Sequence, residues 1–143
     1  EWLENEELTE RVDLIEDFQL NIEHALDLQG RELALFIDAG QDTPAPFVFD
    51  QIFPSTATAH TTHALPPEAV LQVYRRMEGK EPPPAFVLCV RGDKFALGEP
   101  LTAAAECHAA AAFELLMALC RRPSLSAWAG TATHCRVPRG AAR

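Results

Sequence analysis

Two runs of uninterrupted apolar residues, Leu33-Ala34-Leu35-Phe36-Ile37 and Ala85-Phe86-Val87-Leu88-Cys89-Val90, constrain this chain more than any other feature. A strand with one face in water alternates apolar and polar residues. A strand that is apolar throughout must be covered on both faces, as strands are in parallel sheets of α/β proteins. Amphipathic segments separate these runs, so the pattern predicts a parallel sheet with helices on both faces. At 143 residues the chain fits one domain.

The remaining elements follow from periodicity and punctuation. Val12–Ile15 is a short strand candidate. Asp17 is placed to cap a helix in which Phe18, Ile22, Ala25 and Leu26 share a face and Gly30 is the stop. The loop Gly40–Pro46 leads to Phe47–Phe53, strand-like but carrying Asp50 and Gln51, the mark of an edge strand. Pro54–Leu65 is a polar, threonine-rich loop holding His60 and His63. Pro66 and Pro67 suit a helix start, where a missing N–H costs nothing. Val70, Val73, Tyr74 and Met77 form its apolar face, and Gly79 ends it. Arg91–Pro100 is a loop with two glycines. Thr102 caps a long helix bearing Ala105, Ala109, Ala112, Phe113, Leu116 and Cys120 on one stripe, which Pro123 stops. Residues 1–122 are expected to form the domain, and 123–143, without periodicity, a flexible basic tail.

Charge is unevenly spread. Residues 121–143 contain five arginines and no acid, whereas the first 120 residues carry a net −14. Such a body repels phosphate backbones, which argues against nucleic acid as a partner. No apolar run reads as long enough to span a bilayer, which takes about 20 residues, and no secretory leader is visible. The cysteines at 89, 107, 120 and 135 include no CxxC pair, so a zinc ribbon or thioredoxin-type motif is absent. Cys89 and Cys120 fall on apolar patterns and read as small core residues in a reducing cytoplasm.

Candidate chemistry converges on two residues. Asp38 emerges at the carboxyl end of the first apolar run, the edge where open α/β sheets bind ligands. His63 stands just before the helix that begins at Pro66-Pro67. A carboxylate and an imidazole delivered to one edge can share a borderline transition metal. His60, three residues away, is the second choice. His24 is expected to pack or bond locally, Glu99 to face the cleft without a defined task, and His108 and His134 to lie at the surface. Gly92 and Gly98 are too far apart for a dinucleotide fingerprint, and no G-x-S-x-G elbow is present.

Four segments, in order, resemble the hydrogenase maturation endopeptidases, which trim the C-terminus of the [NiFe]-hydrogenase large subunit. They are Asp17–Leu28, Leu35-Phe36-Ile37-Asp38-Ala39, Thr62-His63-Ala64-Leu65-Pro66-Pro67-Glu68-Ala69 and Val90–Leu101. The first and fourth look most like the branch serving soluble, cytoplasmic NAD-reducing hydrogenases. The resemblance implies a single three-layer α/β domain with a twisted, mostly parallel central sheet. It implies Asp38 and His63 as catalytic and nickel-contacting residues. The nickel would be carried by the substrate, the large-subunit precursor, with no organic cofactor and no membrane or nucleic-acid partner. The family's first ligand belongs to a Gly-Asn-Pro…Gly-Asp-Asp segment after an initial strand. No such segment occurs here, and Glu1-Trp2-Leu3 would align with the end of the helix that follows it. The expectation is therefore a chain lacking one strand, one ligand and most of one helix.

Overall fold

The computed structural model describes residues 12–56, 65–92, 100–132 and 134–135. Its elements in chain order are a 3₁₀ helix Ile22–Leu28, β1 Ala34–Gly40, β2 Phe47–Ile52, α1 Pro67–Glu78, β3 Ala85–Arg91, α2 Ala103–Arg121, α3 Leu125–Thr131 and β4 His134–Cys135. The class is α/β with a small mixed sheet of order β1-β3-β2-β4. The two apolar runs are adjacent and parallel, paired from Ala34↔Ala85 to Gly40↔Arg91. β2 runs antiparallel to β3, and β4 pairs with β2 in parallel at Asp50↔His134 and Gln51↔Cys135.

Side-chain alternation along these strands generates two cores. Ala34, Phe36, Ile52, Ala85 and Val87 face α1 and the 3₁₀ helix, packing on Ala25, Leu28, Val70, Leu71 and Tyr74. Leu33, Leu35, Phe49, Phe86 and Leu88 face the other way, onto Ala112, Leu119 and Trp128. This is why both runs are apolar on both faces. Phe86 anchors the second core: its ring stacks on Phe49 at 5.3 Å and meets Trp128 edge-on at 5.4 Å, geometries that aromatic quadrupoles favour.

α1 begins at Pro67 after Pro66 and ends on Gly79, whose φ of +66° is the left-handed cap that glycine adopts without strain. The Thr102 hydroxyl accepts from the Ala105 N–H and starts α2. By length and hydropathy alone α2 is apolar enough to cross a membrane, which corrects the expectation that no segment would be. Here one side packs on the sheet through Ala112, Leu115 and Leu119, while Glu106 and Glu114 are exposed.

Four expectations are revised. Val12–Ile15 forms no strand, and Leu14 and Ile15 are exposed. The first helix starts later and is a 3₁₀ helix, capped by Asn21 rather than Asp17. Asn21 Oδ1 accepts from the Glu23 N–H, and His24 Nδ1 accepts from the Asn21 N–H in return. Asp17 instead sits 3.2 Å from His24 Nε2. Three residues per turn align Ala25 with Leu28, and both are buried; Leu26 lies off that line and is exposed, as are Ile22 at the start of the helix and Phe18 before it. β2 is not a fully open edge: β4 pairs with it at Asp50 and Gln51, and Asp50 is buried at 1% exposure. Residues 123–143 are not all tail, because Ser124 caps α3 through the Ala127 N–H and Trp128 is buried. Pro123 does stop α2, but the chain turns back instead of leaving the domain.

Trp128 holds that turn. Its indole N–H donates to the Leu119 carbonyl at 2.9 Å while its ring fills the second core. Trp128→Ala is expected to cost about 3–5 kcal/mol, the range for deleting a large buried aromatic, measured by urea unfolding. A change below about 1 kcal/mol would mean that α3 contributes nothing to the core. Burial also raises the Cys120 thiol above its ordinary 9.0. The unfolded chain therefore loses this proton first, and stability falls as pH rises from 9.0 towards the folded value. Urea midpoints for Cys120→Ala should decline less steeply above pH 9.0 than for the unchanged chain; equal slopes would refute this.

Candidate functional site at the carboxyl ends of β1 and β3

The parallel register decides what stands beside Asp38. Asp38 pairs with Cys89, followed by Ala39↔Val90 and Gly40↔Arg91. Neighbouring strands lie about 4.8 Å apart, and in-register residues of a parallel pair point to one face. Asp38 continues the row Ala34–Phe36, and Cys89 continues Ala85–Val87. Both therefore face the side that α1 covers. Asp38 is exposed, with Oδ1 accepting from the Ala39 N–H at 2.8 Å. The Cys89 thiol is half-buried.

The chain leaving β1 folds back over this end of the sheet. The Thr43 N–H donates to the Gly40 carbonyl, and Thr43 is buried. Its hydroxyl lies 2.9 Å from Cys89 Sγ. Arg91 Nη1 donates to the Thr43 carbonyl at 2.9 Å, while the Arg91 and Gly92 N–H groups donate to the carbonyls of Pro46 and Gly40. The loop 41–46 is thus tied to the end of β3 by side chain and backbone together. Gly40 permits it: a Cβ there would lie 2.6 Å from Thr43 Oγ1 and 3.5 Å from Cys89 Sγ.

Of the residues singled out from sequence, Asp38 stands where expected, at the carboxyl end of a parallel strand. His63, His60 and Glu99 lie outside the described residues, and so does the separation of Asp38 from His63. His24 makes the local bonds expected of it. His108 is not simply a surface residue: it is half-buried on α2, and its Nδ1 is buried without a hydrogen-bond partner among the described residues. Among those residues no group of three or more His, Cys, Asp and Glu side chains converges to metal-ligand spacing. A shallow depression lined by Arg122, Pro123, Ser124, Ser126 and Ala127 lies where α2 passes into α3. It adjoins Trp128, which packs on Phe86 near the start of β3, the end of the sheet away from Asp38.

Sequence reasoning missed Cys89, Thr43 and Arg91. A signal existed for Cys89: it stands four residues after Ala85, as Asp38 stands four after Ala34. Equal offsets become neighbours only when the strands are parallel and start together. Nothing comparable marks Thr43, whose contact depends on the path of the loop.

The chain matches no family model, no curated protein and no solved structure.

Gly40→Ala should force Thr43 off Cys89 and destabilise the fold by about 1–3 kcal/mol, the usual cost of overpacking. Adding Thr43→Ala removes the obstructing hydroxyl, so the double variant should lose less than the two single losses combined. Urea unfolding of all four chains measures the coupling, and strictly additive losses would show that the contact does not exist.

Proposed function

We propose that this chain is the catalytic domain of an endopeptidase that removes the C-terminal extension of a nickel-loaded [NiFe]-hydrogenase large-subunit precursor in the cytoplasm. The observation that carries the reading is Asp38 at the carboxyl end of a strand paired in parallel with β3, within four ordered sequence blocks that resemble that family. The placement of α1 supports it as well: His63 precedes this helix, and α1 covers the sheet face to which Asp38 belongs. In this reading the complete domain has three layers around a twisted, mostly parallel sheet.

The nickel belongs to the substrate. A carboxylate and an imidazole suit a borderline first-row metal, and their contact with it tests whether the precursor has been loaded. A bound metal either positions the scissile peptide or polarises it and the attacking water. In both cases the same two side chains couple loading to cutting. The acidic body is a poor surface for nucleic acid, and the reading includes no membrane partner.

A second reading is a non-catalytic domain of the same type that binds the precursor without cutting it. It shares the site with the first reading and differs only in leaving the peptide bond intact, so cutting separates the two.

The test is a gel-mobility assay of nickel-loaded precursor, run with the chain and its variants. The unchanged chain is expected to cut. Asp38→Ala or His63→Ala should lower the rate by at least about 100-fold, since even groups that merely support metal ligands are worth 10–100-fold. Unchanged cutting by both variants would place the site elsewhere. Equal cutting of nickel-free precursor would remove the metal check. Binding of the precursor without cutting would favour the second reading.

A further inference from the structure

We propose that Cys89 is a metal donor beside Asp38: the β1/β3 register places thiol and carboxylate on one row of the sheet as a two-donor site for a borderline divalent cation. That the cation is nickel rests on the maturation reading above. The donor pair itself rests on the register and on the surroundings of Cys89.

In a metal site, sulfur stands about 2.3 Å and carboxylate oxygen about 2.0–2.2 Å from the ion, so the donors are roughly 3–4 Å apart. Strands about 4.8 Å apart with both side chains on one face bring two short side chains within that reach. Cys89 also differs from a core cysteine of this same chain. Cys120 is 5% exposed, and burial raises its thiol pKa. Cys89 is half-buried at the carboxyl end of β3, with the Thr43 hydroxyl 2.9 Å from its sulfur. The Thr43 hydroxyl and the Cys89 sulfur share a hydrogen bond that fixes where the sulfur stands. Arg91, through the Thr43 carbonyl, holds that hydroxyl in place. Asp38 Oδ1 is fixed by the Ala39 N–H, which restricts the carboxylate and lowers the ordering cost of binding.

The donor set is selective. Thiolate disfavours magnesium and calcium, while carboxylate with thiolate accepts nickel, cobalt or zinc. Binding displaces the thiol proton to water. Two protein donors make a weak site, completed by groups brought with the metal. Such a site suits transient contact with a metal that belongs to another protein.

The experiment uses the whole chain and Ni2+ alone, without precursor. A near-ultraviolet thiolate-to-nickel charge-transfer band is expected. It should vanish in Cys89→Ser and persist in Cys107→Ser and Cys135→Ser. Asp38→Asn should weaken Ni2+ binding about 10-fold or more. A second measurement needs no variant: Ni2+ should slow iodoacetamide labelling of Cys89 several-fold and leave the exposed Cys107 unchanged, as located by peptide mass. A band that survives Cys89→Ser, or Cys89 labelling at the same rate with and without Ni2+, overturns the proposal. Because these readouts involve no precursor, they separate this site from the maturation reading. Failure of precursor cutting with an intact Cys89 signal rejects the activity and leaves the metal site standing.

Discussion

The in-register parallel pairing of β1 with β3 is the constraint on which the rest of the structure depends. β3 is covered on both faces and bonded on both sides, by β1 and by β2. Pairing Ala34 with Ala85 through Gly40 with Arg91 bonds one side of β1, which stands at the edge of the sheet and leaves Ile37 exposed. A slip of one residue would turn every side chain of one strand to the opposite face. Phe36 and Val87 would no longer meet the same helix, and Asp38 would stand beside Leu88 or Val90 rather than Cys89. The register that builds the two cores is therefore the register that builds the candidate site.

The second core is closed by the chain beyond α2. Phe86, near the start of β3, is flanked by the Phe49 ring within the sheet and by Trp128 from α3. Trp128 also supplies a donor to the end of α2, at the Leu119 carbonyl. One side chain thus fills the core and adds a second donor to the Leu119 carbonyl, which also accepts from the Arg122 N–H. On the other face the 3₁₀ helix buries only Ala25 and Leu28, which leaves Phe18, Ile22 and Leu26 at the surface. Pitch accounts for Leu26, which three residues per turn set off the Ala25–Leu28 line; Ile22 stands at the exposed start of the helix and Phe18 before it.

The carboxyl end of β1 and β3 combines an exposed carboxylate with a thiol held by a folded-back loop. Its construction depends on a small residue, Gly40, at the one place where a Cβ would occupy the position of Thr43 Oγ1. The loop is fixed to β3 by Arg91 and by backbone bonds, so Asp38 and Cys89 belong to a braced end of the sheet rather than to a free strand terminus. Such bracing lets short side chains hold a geometry without the entropy cost that long, mobile ones incur.

The identity of β1, β2 and β3, the start and stop of α1 and α2 and the parallel partnership of the two apolar runs were legible in sequence, whereas the strand read at Val12–Ile15 does not form. They rest on local patterns: unbroken apolarity, Pro66-Pro67 before a helical stripe, Gly79 after it and Thr102 before the next. The position of Asp38 at a strand's carboxyl end was legible for the same reason. The 3₁₀ pitch of the first helix, the antiparallel direction of β2, the burial of Asp50 and the order of α3 were not. Each is decided by a neighbour distant in sequence: α1 for the 3₁₀ helix, β3 and β4 for β2, Phe86 for Trp128. The sequence by itself determined which segments had to be buried and where a ligand edge would lie, because burial is written in the residues of each segment. Only the tertiary structure decided that Cys89 and Thr43 stand with Asp38, because that depends on strand register and loop path, which link residues about 50 positions apart.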